Sequence, residues 1–390
     1  MDYKLLSEVS VYRKDRIGSD KVNKENYIST ENMLPNRGGV ETATTVASAK
    51  TFPAYKKGDI LLSNIRPYFK KIWYADKEGG CSNDVLVVKA NKTVDSKFLY
   101  YVLSDNNFFN YSTVTSKGTK MPRGSKNAIM KYWVPDFDLP TQKKIADILS
   151  SYDELIKANN ERIELLEQAA QELYKEWFVR FRFPGYENVK FEDGFPKGWI
   201  IKRLSDYGRV ETGKTPSTEI AENYGGEMMF VKTPDMHGNM FIIQTEDKLS
   251  ERGHNTQPKK LLPANSIMVS CIGTAGVVSI NAEPAHTNQQ INSIVLNNPN
   301  ELEWLYHTCK SLKETIELFG ATGATMTNLS KGKFEKLKVV DPGENLILAY
   351  HNKVKPLFDE IKFLMYQNQN LAAQRDMLLP RLMSGKLEVN

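Results

Sequence analysis

Two stretches of this chain carry the same long apolar seam. From Thr141 to Phe178, the positions Ile145, Leu149, Tyr152, Ile156, Asn159, Ile163, Leu166, Ala170, Leu173 and Trp177 recur at alternating steps of four and three. From about Asn345 to Met383, Tyr350, Val354, Leu357, Ile361, Leu364, Asn368, Leu371, Arg375, Leu378 and Leu382 repeat the pattern, each 205 residues after its counterpart. Steps of four and three average 3.5 residues, the spacing at which two helices pack side chain into hole. A seam kept for about five heptads far exceeds the ~3 turns of an average helix, so these helices are expected to pair. At ~1.5 Å per residue the seam makes a rod of roughly 50 Å.

The segments before each helix also repeat. "YKKGDILLSNIRP" and "CSNDVLVVKAN" in 55–91 parallel "KKLLPANSIMVSCIGTAG" and "HTNQQINSIVLNN" in 259–298. The parallel continues through "KFLYYVLS" and "EWLYHTCK", "TSKGTKMPRGSK" and "GATGATMTNLSKGKF", and "YWVPDFDLPTQ" and "LKVVDPGENLI". Apolar strands between polar turns predict two similar β-rich domains, at 1–140 and 191–340. A helix and linker at 141–190 follow the first, and a helix at 341–390 follows the second. The fold class is α+β with a pseudo-twofold internal repeat.

Composition narrows the function. Cys81, Cys271 and Cys309 are far apart and form no C-x-x-C pair, which argues against a disulfide framework or a zinc site. No apolar run approaches a membrane span and "MDYKLLSEVS" is no signal peptide, so a cytoplasmic protein with no membrane partner is expected. Residues 1–140 hold 22 Lys+Arg against 15 Asp+Glu, a local +7 within a net charge of +5. That excess suits a polyanion. "GRVETGKTPS" spells G-x-x-x-x-G-K-T from Gly208 to Thr215, the pattern of a phosphate-binding loop. Its flanks argue against one. "WIIKRLSDY" is too polar for a buried parallel strand, and "PSTEIAENYGG" breaks any helix that should follow.

The alternation of two β-rich domains with two long helices resembles the specificity subunit of type I restriction-modification systems. The resemblance spans essentially the whole chain and rests on eight segments in order: "KGDILLSNIRPYFKKIWYADKEGGCSNDVLVV", "LPTQKKIADILSSYDELI", "ELYKEWFVRFRFPG", "FPKGW", "TGKTPS", "TNQQINSIV", "MTNLSKGKFEKLKVVDP" and "LLPRLMSGKLEV". "GKTPS" looks like the family's G-x-TPS element, with Lys214 at its variable position. The resemblance implies two target-recognition domains, each reading half of a bipartite double-stranded DNA site, separated by two long helices forming an antiparallel coiled coil. It also implies two modification (methyltransferase) subunits docked on the helices and outer domain faces, and restriction (motor and nuclease) subunits. S-adenosylmethionine, ATP and Mg are then expected on those partners, with no cofactor, metal or catalytic residue here. Consistently, the sequence has no G-x-G-x-x-G between strand and helix and no Asp/Asn-Pro-Pro-aromatic run. Its five histidines, His237, His254, His286, His307 and His351, form no ligand-spaced pair. Two alternatives stay open: a stand-alone coiled-coil DNA-binding regulator and a P-loop nucleotide-binding protein.

DNA contacts need phosphate donors, and planar amides or guanidinium groups for base edges, on loops that a scaffold holds. The first domain offers Asn64, Arg66, Lys70, Lys71, Asn83, Lys117, Lys120 and Arg123. The second offers Lys214, Thr215, Ser217, Lys232, Asp235, Thr274, Asn288, Gln289, Gln290, Asn328 and Lys331. Arg66 and the two glutamines suit guanine and adenine. Asn83 and Asn288 occupy equivalent places in the repeat, and Tyr68, Phe69 and Trp73 read as core. Asp153-Glu154 and Asp359-Glu360 read as solvated helix faces or partner contacts rather than catalytic pairs.

In an antiparallel register with fully overlapping seams, the first seam's position n faces the second's 11 − n. Asn159 then faces Asn368, Trp177 faces Tyr350, Ile145 faces Leu382, and Arg375 lies beside Tyr152. A matched asparagine pair satisfies itself and penalises slipped registers.

Overall fold

The computed structural model describes residues 2–320, 327–387 and 389. The chain forms two compact units, residues 1–157 with 370–390, and residues 158–369. Each unit takes part of both long helices, Leu139–Tyr174 and Glu344–Met383. The Ala321–Met326 portion of "GATGATMTNLSKGKF" lies outside the described residues. Among the described residues no helix is long and apolar enough to cross a membrane.

The first unit is built on an antiparallel sheet ordered Ser10–Tyr12, Val85–Ala90, Ile60–Ser63, Ile72–Tyr74. "ILL" and "VLVV" are continuously apolar because both faces of this sheet are buried. Ile60, Leu62, Ile72, Leu86 and Val88 pack on one face with Phe98, Leu99 and Val102 of the helix Ser96–Ser104. Leu61, Val85 and Val87 pack on the other with Tyr55, Trp73 and Cys81. The helix is capped by Asp95, whose side chain accepts the Phe98 N–H at 2.8 Å. A second sheet, Arg16–Gly18, Thr51–Tyr55, Gly79–Cys81 and Tyr27–Ile28, ends in a parallel pair.

The second unit repeats this plan. Its main sheet runs Gly208–Thr212, Ile291–Leu296, Ile267–Ser270, Val278–Asn281, Phe241–Ile242, and a smaller one runs Lys248–Leu249, Tyr224–Val231, Ala285–Thr287. Ile267, Val269, Ile280 and Ile294 face Trp304 and Leu305 of the helix Leu302–Ser311, while Met268 and Ile291 face Val231, Met236 and Leu262. The linker "EWFVRFRFPG…FPKGW" is tied down by aromatics, with Trp199 against Phe178, Phe181 and Phe183. All three cysteines are buried, and burial pushes the Cys81 and Cys271 thiols up to about 12 and about 11.

The long helices are antiparallel within each unit. In the second, Tyr350 meets Trp177 edge to face with ring centroids 5.8 Å apart and donates to the Ala170 carbonyl at 3.0 Å, while Arg162 pairs with Glu360 at 2.9 Å. In the first, Ile145, Ala146 and Leu149 share a core with Leu379, Leu382 and Met383. The buried Asn159 donates from Nδ2 to Asn368 Oδ1 and to Gln367 Oε1, both at 2.8 Å. Asn368 in turn donates to Asn160 at 2.8 Å. Arg375 pairs with Asp153, the residue that follows Tyr152, and Asp153 also accepts the Tyr101 hydroxyl at 2.6 Å. Asp153 is therefore an internal anchor, not a solvated face, because Tyr101 and Arg375 both lean onto it. Glu154, Glu360 and Asp359 form ion pairs with Lys97, Arg162 and Lys355.

Two outcomes are expected. Asn368→Leu should lower stability by about 1–3 kcal/mol by leaving Asn159 buried and short of an acceptor, whereas Asn159→Leu/Asn368→Leu together should restore much of it; urea denaturation of the three variants checks this. His307 is buried among Tyr174, Tyr306 and Phe358, and burial lowers its pKa to about 3. The unfolded imidazole takes up a proton near ~6.5 and the folded one does not, so its stability contribution is lost as pH falls below that value. His307→Phe should show a shallower loss of stability between pH 7 and 5 than the parent chain, measured by the same denaturation.

Candidate nucleic-acid interface

In the first unit three loops meet at one end of the main sheet. The Asn64 N–H donates to the Asp84 carbonyl at 2.8 Å, the Gly124 N–H to the Asn64 carbonyl at 3.0 Å, and the Arg66 N–H to the Pro122 carbonyl at 2.8 Å. Lys117 and Arg123 exchange two backbone bonds of 2.9 Å that close the glycine-punctuated loop. Lys117, Lys120, Arg123 and Asn83 are exposed, and Arg123 pairs with Asp84 at 3.2 Å. Asn83 lines a groove of about 390 Å³ with Lys14, Arg16 and Lys126, cations that sequence reasoning did not single out. Two candidates point inward. Asn64 is buried, and Lys71 gives its ammonium to the Thr30 carbonyl at 2.7 Å, with burial lowering its pKa. Lys70 reaches Asn106 at 2.8 Å, and Arg66 lies over the Phe69 ring at 5.9 Å.

The second unit assembles the corresponding loops. The Cys271 N–H donates to the Gln290 carbonyl at 2.7 Å, the Leu329 N–H to the Cys271 carbonyl at 2.9 Å, and the Lys214 N–H to the Thr287 carbonyl at 3.0 Å. Thr215 bonds to Gln289, so "GKTPS" and "TNQQ" present one surface. Lys214, Ser217, Thr274, Gln289, Asn328 and Lys331 are exposed there, Lys331 within 3.7 Å of Glu335. Other candidates are engaged within the fold. Asp235 accepts the Lys232 N–H at 2.7 Å, capping the turn Thr233–Met236, and Lys232 pairs with Asp247. Asn288 is buried and bonds through both side-chain atoms to Gln290, shaping the turn.

These bonds set the internal correspondence and correct the sequence alignment. Ser82 and Asn288 donate to the last residues of equivalent parallel strands, Ile28 and Val231. Asn288 therefore matches Ser82, and Asn83 matches Gln289. The Ile65–Arg123 bridge matches Ile272–Asn328, making Arg123 and Asn328 counterparts. Trp73 is core as expected, but Tyr68 and Phe69 are 46% and 39% exposed. Hydrogen bonds from distant segments turn that stretch outward, so local apolarity misplaced them.

The Gly208–Thr215 match is no phosphate loop. Gly208–Thr212 is a strand antiparallel to Ile291–Leu296, and no helix starts at Thr215. A Cβ at Gly208 would collide with the Val295 carbonyl, and one at Gly213 with the Asn288 and Thr287 carbonyls. The glycines are there for close strand packing.

A family model for the type I restriction modification DNA specificity domain matches residues 9–168 and 196–342. The HindI specificity subunit of Haemophilus influenzae is 30% identical over 433 aligned residues, covering 93% of this chain and 94% of that protein. The MjaIX specificity subunit of Methanocaldococcus jannaschii is 28% identical, covering 90% and 82%. Among solved structures, the type I restriction-modification S subunit of M. genitalium covers 98% of this chain and 95% of its own, with a TM-score of 0.58 at 15% identity, a likeness of fold. This chain belongs to the DNA specificity subunits of type I restriction-modification systems. It is a non-catalytic subunit that recognises DNA through two recognition domains and works in complex with other subunits of such a system.

Gly213→Ala should destabilise the protein by about 1–3 kcal/mol through the backbone collision, whereas Lys214→Ala should stay within about 0.5 kcal/mol. Addition of ATP should shift the melting temperature of neither parent nor Lys214→Ala; differential scanning fluorimetry reads both.

Proposed function

We propose that each recognition domain reads its own half of a bipartite duplex target, and that the paired helices and outer domain faces dock two adenine-methylating modification subunits and, through them, the restriction subunits. The observation that carries this reading is the repeated loop scaffold with different side chains. Asn83 stands where Gln289 does, Arg123 where Asn328 does, and Arg66 where Gly273 does, on the same backbone frame. One scaffold with two sets of donors suits two different half-sites. Docking is supported by large apolar side chains left exposed on the long helices: Leu155 and Met377 in the first unit, Leu165 and Phe363 in the second. In this reading S-adenosylmethionine, ATP and Mg act on the partner subunits.

The test is to co-express the chain with a modification subunit and map methylated adenines by single-molecule sequencing. A bipartite motif is expected. Exchanging residues 1–140 for another recognition domain should change one half of it, and inserting whole heptads into one helix should change the gap or abolish activity, since half-sites follow the ~34 Å turn of DNA. Tight site binding without a methyltransferase would favour a stand-alone regulator instead.

A further inference from the structure

One turn in the first unit is built at a conformational cost that its counterpart avoids. Arg66 and Lys70 both adopt left-handed backbone, with φ of 50° and 53°, and enclose Pro67–Phe69. In the second unit the equivalent turn places glycine at both left-handed positions, Gly273 at 77° and Gly276 at 79°. The equivalence is fixed by contacts. Arg66 and Gly273 each follow the bridged isoleucine, Ile65 or Ile272. Lys70 bonds to Asn106, the first residue of the helix Asn106–Val114, and Gly276 lies against Lys313, the first residue of the helix Lys313–Gly320. Glycine takes this backbone without strain. A fold that accepts glycine there and carries arginine and lysine instead holds those side chains for a purpose other than the turn.

The turn is also braced and aromatic. A second turn braces it, with the Asn36 N–H donating to the Phe69 carbonyl at 2.8 Å and the Arg37 N–H to the Lys70 carbonyl at 2.9 Å. Asn36 and Arg37 are left-handed too, so four of the seven such non-glycine residues among the described residues lie in this one place. Between the two cations Tyr68 and Phe69 stand exposed with ring centroids 4.8 Å apart. The loop carrying Lys117, Lys120 and Arg123 adjoins them through the Arg66–Pro122 bond.

Resting on the DNA-reading role above, we propose that the Arg66–Lys70 turn is a base-contacting wedge of the first recognition domain. Tyr68 and Phe69 lie against bases at one partly unstacked step of the first half-site, and Arg66 and Lys70 hold the phosphates on either side. Aromatic and apolar side chains inserted at a base step kink the duplex, and flanking cations supply the attraction that keeps them there. The bracing bonds keep the wedge formed against its strain before DNA arrives, and the glycine-built turn of the second domain gives the two half-sites unequal deformation.

The experiment uses the full chain in complex with its modification subunits and a duplex bearing the mapped target, with 2-aminopurine at first-half positions other than the methylated adenine. Binding should raise 2-aminopurine fluorescence at one step, and Tyr68→Ala should abolish that rise. Arg66→Gly and Lys70→Gly should each weaken binding at least tenfold while the melting temperature holds or rises. Lowered melting temperatures in the glycine variants would assign the side chains to stability and overturn the proposal. So would a fluorescence rise at no first-half position, or parental binding by the glycine variants. Lys117→Ala/Lys120→Ala separates the two levels: if it weakens binding with a shallower salt dependence while the wedge variants do not, the wedge alone fails. If it too binds as the parent does, the DNA-facing loop surface fails with it.

Discussion

The antiparallel pairing of the two long helices is the constraint on which the rest depends. Neither helix belongs to a single unit. Ile145 and Leu149 complete one core together with Leu379 and Leu382, and Ala170 and Trp177 complete the other with Tyr350 and Phe358. A slip of one heptad would pull apolar side chains out of both cores at once. The Asn159–Asn368 bond makes such a slip costlier, because a buried amide without its partner loses about 1–3 kcal/mol. Register is thus set by apolar burial at the ends and by polar pairing in between.

On that frame each unit presents loops from a sheet buried on both faces. Such a sheet tolerates little movement, so the strand ends hold the loops by backbone bonds such as Asn64 to Asp84 and Cys271 to Gln290. Side chains can then change without moving the backbone. Asn83 against Gln289 and Arg123 against Asn328 are such exchanges, and Arg66 against Gly273 is one that accepts left-handed strain. In the proposed reading, recognition built this way separates scaffold from readout. The same backbone that aligns the repeat carries the chemistry that distinguishes its copies.

The sequence by itself determined the two long helices and the twofold repeat and pointed to the pairing of Asn159 with Asn368; it argued against a phosphate loop, which the antiparallel strand Gly208–Thr212 then excluded. These are properties of periodicity and of near neighbours in the chain: a 3.5-residue seam can be read from side-chain spacing, and two seams of equal length allow only a few registers. Tertiary structure alone decided which loop residues face solvent. Tyr68 and Phe69 read as core until backbone bonds from Asn36 and to Pro122 turned their loop outward. Lys71 and Asn64, equally polar in sequence, were drawn inside by Thr30 and Asp84. Asp153 became an internal anchor only because Tyr101 and Arg375 reach it across the fold. Exposure at a strand end depends on hydrogen bonds to segments tens of residues away, and residue type at the turn carries no record of them.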